Sequence, residues 1–200
     1  MGGGRRPWPS AGACPALRSL GIGLARVAAA CTTLLAAPTA LAKGESLEYA
    51  VKATYLHKLT PFVEWPSEAF AGPDAPVKIC VVGDDPFGDM LDRAVRDRPA
   101  GERPVKVKRL ARVDRNTRCH VMYVTGSEAQ PVDEVLEATR GRPVLTVTDA
   151  AASPKARGVV HFVLREGRVR FEMDDRAAAE NGVAISSKLL SLAVSVRRRG

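Results

Sequence analysis

The chain has 200 residues with a basic excess, 30 lysines and arginines against 22 acidic side chains, for a formal net charge of +8. Arg5, Arg6, Arg18 and Arg26 all lie before residue 43, in a stretch without acidic residues, so residues 43–200 carry 26 against 22 and a net charge of +4. Much of that remainder is Arg197, Arg198 and Arg199, a tail suited to a helix C-terminus, and no aromatic and basic interleaving is present, so the high pI does not point to nucleic acid.

Residues 1–42 read as a secretory signal peptide: a basic start, the apolar run Val27 to Ala37, and the small-x-small site Ala40-Leu41-Ala42, with cleavage expected after Ala42. The run is too short and alanine-rich for a bilayer span, which takes about 20 apolar residues. Lipidation at Cys31 is not favoured, because Ala28-Ala29-Ala30 lacks the leucine of a lipobox. Pro7-Trp8-Pro9 after Arg5-Arg6 does not support a twin-arginine signal. Residues 43–200 are then a single domain of 158 residues, long enough to bury a core. Cys14 and Cys31 leave with the leader, while Cys80 and Cys119 remain. An even pair in an oxidising compartment is expected to form one disulfide, with two buried free thiols as the alternative.

Along the remaining chain, Leu47, Val51, Tyr55, Leu59 and Phe62 fall at helical spacing with Lys52 and Lys58 on other faces, which predicts an amphipathic helix over 46–60. Pro61 kinks or tightens its last turn, Pro66 keeps Trp65 extended, and Ala71 to Pro76 is a turn-rich loop. Val77 to Val82 reads as a strand ending at Gly83-Asp84-Asp85-Pro86-Phe87-Gly88, where an Asp cap and Pro86 at the first helical position predict a helix from Phe87 to about Arg96. Val105 to Leu110 is a half-exposed strand, Val121 to Val124 a buried one, Val132 to Thr139 a helix and Val144 to Val147 another buried strand. Gly158 to Leu164 and Arg168 to Met173 flank a short hairpin turn. Ile185, Leu189, Leu192 and Val196 predict a terminal amphipathic helix that begins near Ser186 or Ser187. The fold class is α/β: one mixed sheet of about five or six strands flanked by helices, with amphipathic helices at both ends and no internal repeat.

Candidate sites are few. Asp84 and Asp85, with Asp89 and Asp92, lie where open α/β sheets bind ligands, and such carboxylates suit a hard cation; the helix-cap reading fits Pro86 better, so no metal is expected. His57, His120 and His161 lack metal-ligand spacing, and Ser127 lacks the flanking glycines of a nucleophile elbow. No phosphate-binding glycine loop or dinucleotide fingerprint is present, so neither a cofactor nor an enzymatic activity is expected. Tyr55, Phe62, Trp65 and Phe70 crowd into a chain that is only 5% aromatic. They read as core anchors, or as an apolar ligand or partner surface where they stay exposed.

Tyr49-Ala50-Val51-Lys52-Ala53-x-Tyr55-Leu56, Phe62-Val63-Glu64-Trp65-Pro66 and Gly83-Asp84-Asp85-Pro86-Phe87-Gly88 resemble the YfiR family, the DUF4154 domain. Cys119 to Val124, Val144 to Asp149, Gly167 to Glu172 and Ile185 to Leu190 agree in the same order, so the resemblance covers nearly all of residues 43–200. It implies a regulatory protein of the bacterial periplasm. Its implied partner is the periplasmic region of an inner-membrane diguanylate cyclase, which it represses by contact, and an OmpA-like outer-membrane lipoprotein is implied to sequester it. Cyclic-di-GMP and biofilm formation are the implied outputs, and a second copy of the chain is a further candidate partner. The family is also known for disulfides, and Cys80 with Cys119 resembles one of them. This chain departs from the family at Leu59 and Pro61, in place of an aromatic and a basic residue, at Ala156-Arg157-Gly158 in place of a Gly-Gly step, and in lacking a second cysteine pair. The alternative is a small-ligand sensor with its pocket near Gly83 to Gly88.

Overall fold

The computed structural model describes residues 39–200. In chain order its elements are α1 (Thr39–Leu59), a 3-10 turn (Thr60–Phe62), β1 (Val63–Glu64), a second 3-10 turn (Ser67–Ala69), β2 (Val77–Gly83), α2 (Asp89–Val95), β3 (Val105–Leu110) and β4 (Val121–Gly126). They continue with α3 (Val132–Thr139), β5 (Leu145–Asp149), β6 (Val160–Arg165), β7 (Arg168–Asp174), α4 (Asp175–Glu180), β8 (Ala184–Ile185), α5 (Ser187–Leu190) and β9 (Ser195–Arg197). Seven strands form the main sheet in the order β3-β2-β4-β5-β6-β7-β9, and β1 pairs with β8 beside it. β3, β2, β4, β5 and β6 are parallel, β7 is antiparallel to β6, and β9 runs parallel to β7.

Period-2 alternation sorts the core into two layers. Ile79, Val81, Val121, Tyr123, Leu145, Val147, Val160, Phe162, Phe171 and Met173 point to one face, where Ala53, Leu56 and Leu59 of α1 and Leu91 and Val95 of α2 pack on them. Cys80, Val82, Met122 and Val124 point to the other, under Val132 and Val135 of α3. Each such side chain, taken fully out of water, contributes about 1.5–3 kcal/mol. Parallel strands covered on both sides read as continuous apolar runs, and β2 and β4 do so.

Three expectations change on folding. α1 does not bury Leu47 and Val51, which are 67% and 37% exposed; the buried stripe is Lys52, Ala53, Leu56 and Leu59, on nearly the opposite side of the helix. An ion pair at Lys52, described below, rotates the helix and overrides the simple apolar count. Pro86 does not open α2: the helix starts at Asp89, its N-cap is Gly88 with φ of 48°, and no side chain caps it. Asp85 instead uses Oδ1 to accept the Phe87 N–H at 2.8 Å, a local turn that competes with the helix for those two residues.

The terminal helix is a single turn. Ser186 caps it by accepting the Leu189 N–H, but it stops after Leu190. Val194 and Val196 are β-branched, and the free edge of β7 offers them a ladder, with Met173 opposite Val196. The arginine tail therefore meets carboxylates rather than a helix end: Arg197 lies 3.2 Å from Asp174, and Arg199 bonds both oxygens of Asp175 at 2.9 and 3.0 Å. The expected hairpin forms between β6 and β7, with Glu166 and Gly167 at φ of 52° and 69° in its two-residue turn. The expected leader, residues 1–42, lies almost wholly outside the described residues.

Candidate functional site

The helix α1 runs across the sheet from the carboxyl ends of the strands to their amino ends, and it places different chemistry at each. At the carboxyl ends, Lys52 is 1% exposed and pairs with Glu48 one turn back and with Asp149, the last residue of β5. Tyr123 donates its hydroxyl to the same Asp149 Oδ2 at 2.9 Å, and the ring of Tyr49 lies 4.6 Å from the Lys52 ammonium. Burial disfavours charge on Lys52, but the hydrogen bonds to Asp149 and Glu48 outweigh it and hold its pKa above the ordinary lysine value. Burial, then the charge of Asp149, pushes the Tyr123 phenol far above its usual range, so it stays a donor. The group is a closed lock: Glu48, Lys52, Tyr123 and Asp149 all meet a partner within it.

At the amino ends, Trp65 and Phe70 bracket His120. The Trp65 Nε1–H donates to the His120 carbonyl at 3.1 Å, its ring stands edge-on to the imidazole, and Phe70 stacks on that imidazole at 4.3 Å. The Arg103 guanidinium lies 4.0 Å from the Phe70 ring centroid. His120 Nδ1 accepts the Lys78 N–H at 3.0 Å, and burial, with Lys78 and Arg103 nearby, lowers its pKa to about 4. Cys119, the preceding residue, is disulfide-bonded to Cys80 of β2, so the expected bridge is present and ties the start of β4 to its neighbour. Trp65 is half-buried: it packs on the main core cluster while clasping the start of β4.

These positions do not form one surface. Tyr55 packs against Phe162 and Phe171 at 5.9 and 5.8 Å, on the α1 layer. Phe62 lies under Lys188 at 5.7 Å. Asp84 and Asp85 are at the other end of β2 from Trp65, roughly 20 Å away at about 3.3 Å per residue. Nor do the acidic residues form a vacant cation site. Arg109 Nε bonds Asp85 Oδ2 at 2.6 Å, while its Nη2 bonds Asp92 Oδ2 at 2.5 Å and the Gly88 carbonyl at 2.7 Å. Asp92 and then Asp85 raise the Arg109 pKa still higher, so one arginine from β3 takes up two of the four carboxylates. Among the described residues no group of three His, Cys, Asp or Glu is placed to hold a metal ion. At Gly83, where φ is +92°, β2 comes so close to Gly126 that only glycine fits: a Cβ there would lie 2.2 Å from the Gly126 carbonyl oxygen.

Among the described residues nothing covers the outward side of α1. Leu47 and Val51 are exposed on it, and Ala50, Val51, Thr54, Tyr55 and Lys58 line an open groove of about 430 Å³. Sequence periodicity turns Leu47 and Val51 inward with Tyr55 and Leu59, and leaves Lys58 on another face. The signal for the true orientation was Glu48 and Lys52 at i, i+4, a pair that can be carried inward when a strand ends in a carboxylate such as Asp149.

The family model for YfiR/HmsC-like proteins, DUF4154, matches residues 49–194. The chain therefore belongs to the YfiR/HmsC-like family, a regulatory family linked to cyclic-di-GMP control. The matched span starts at Tyr49, one turn before Lys52, and ends one residue before β9, so it takes in α1 from Tyr49 onward, the disulfide and the His120 clasp. No curated protein matches the chain.

Proposed function

We propose that this protein is exported to the periplasm and represses an inner-membrane diguanylate cyclase by binding the cyclase's periplasmic region. Relief of that contact raises cyclic-di-GMP and biofilm formation, and an OmpA-like outer-membrane lipoprotein that sequesters the repressor is the means of relief. The observation that carries this reading is the outer face of α1. A helix pinned by a buried ion pair on one side and bearing exposed Leu47 and Val51 on the other is a rigid apolar ridge. Water-exposed apolar surface rimmed by a cation, here Lys58, favours a protein partner.

The test is copurification. A tagged, exported copy is recovered from detergent-solubilised membranes and the retained proteins are identified. The wild type is expected to hold a diguanylate cyclase, and Leu47→Glu/Val51→Glu to lose it with an unchanged melting temperature. Retention by that variant would remove the α1 ridge from the interface, and absence of any cyclase with the wild type would overturn the repressor reading. The alternative, a small-ligand sensor, draws support from a polar cavity at the far edge of the sheet.

A further inference from the structure

The second face of the sheet changes character at β5. Over β2 and β4 it is apolar and covered by α3, whereas the paired positions Thr148, His161, Glu172 and Ser195 make a polar row across β5, β6, β7 and β9. The loop between β5 and β6 folds back on this row, where the Gly158 N–H donates to Thr148 Oγ1 at 2.9 Å. A cavity of about 380 Å³ lies there, walled by Lys155, Arg157, His161, Glu172, Asp174 and Arg197 among others.

His161 decides what such a cavity accepts. It is 2% exposed, and its Nδ1 lies 2.8 Å from Thr148 Oγ1. That oxygen accepts the Gly158 N–H through one of its two lone pairs and keeps its own proton to give; we assign that proton to Nδ1, which leaves the hydrogen of the neutral ring on Nε2. Burial and then the Arg157 charge lower the ring's pKa, in keeping with the neutral form. Nε2 is buried and has no hydrogen-bond partner among the described residues. A buried N–H without an acceptor is costly and uncommon.

The carboxylates of the cavity are already engaged. Glu172 is paired with Arg157 and, at 3.3 Å, with Arg165. Asp174 takes Arg197 at 3.2 Å through one oxygen and the Ala177 N–H at 2.9 Å through the other. Lys155, exposed on the rim, makes no hydrogen bond or ion pair among the described residues. Cations thus outnumber anions among the residues that wall the cavity, and Lys155 and the His161 N–H are the donors there without an acceptor among the described residues.

We propose that the cavity between the β5–β6 loop and β9 binds a small soluble ligand through an oxyanion, a phosphate or a carboxylate. Lys155 and Arg157 hold its charge, and His161 Nε2–H donates to one of its oxygens. Arg157, whose side chain is 52% exposed, is the group that moves aside from Glu172 to admit it. The proposal is independent of the cyclase contact, because the α1 ridge lies on the opposite face of the sheet.

Calorimetric titration of the purified protein with inorganic phosphate and, separately, with succinate tests it at physiological salt. Saturable binding of one probe is expected, weakened at least tenfold by Lys155→Ala with the unliganded melting temperature unchanged. The His161 Nε2 resonance in an imidazole-labelled sample is expected to shift on saturation. Binding of phosphate alone assigns a phosphate ligand, and binding of succinate alone a carboxylate. Failure of both probes to saturate overturns the site, as does binding that Lys155→Ala leaves within twofold and that does not move the His161 signal.

Discussion

Lys52 shows how one side chain can set the pose of a whole helix. Its charge is buried because Asp149 and Glu48 meet it, and Tyr123 completes the carboxylate's shell. Replacing Lys52 by Ala leaves Asp149 buried and uncompensated, a change expected to cost about 3–5 kcal/mol. Urea unfolding at pH 7 measures it, and a loss below about 1 kcal/mol would mean that the pair is not closed in solution. Because the Lys52 and Tyr123 pKa values are both raised on folding, their contribution is full below about pH 10 and declines as the pH rises further, when the unfolded chain releases protons the folded one keeps. His120 works in the opposite range. Its pKa falls to about 4 on folding, so the unfolded chain binds more protons between pH 6.5 and 4, and stability is full above that window and drops as the pH descends through it. His120→Asn, which keeps an acceptor for the Lys78 N–H and removes the titration, is expected to flatten the dependence of the urea midpoint between pH 7 and 4. A variant as acid-sensitive as the wild type would assign the effect elsewhere.

At the scale of elements, the disulfide joins β2 to the residue before His120 across a sequence separation of 39. Closing a loop of that length constrains the unfolded chain by about 4 kcal/mol in the chain-entropy model. Cys80→Ala/Cys119→Ala is expected to lose stability on that order while keeping the far-ultraviolet spectrum, and an unchanged urea midpoint would contradict it. This bridge was legible beforehand, as were β2 to β7 and α3, whose apolar runs and turn residues match local rules. What stayed hidden is where distant partners overrule a local pattern. The α1 face was misread because Asp149 lies 97 residues from Lys52. The last helix was misread because Val194 and Val196 answer to the free edge of β7, not to their own spacing. Tyr55, Trp65 and Asp85 were legible as notable residues, yet only folding reveals that they occupy three separate places.

For the whole molecule, two faces of one sheet carry two different chemistries. One is a rigid helix with an apolar outer ridge, suited to a partner protein, and the other a polar cavity with unspent donors. The family match takes in most of both, leaving Leu47 of the ridge and Arg197 of the cavity wall just outside it, and gives the fold its regulatory setting. The most direct test of the repressor account is intracellular cyclic-di-GMP in the source bacterium after deletion of the gene and its restoration in exported form. The account predicts a rise on deletion that wild-type protein reverses and Leu47→Glu/Val51→Glu does not. Unchanged cyclic-di-GMP on deletion would contradict it.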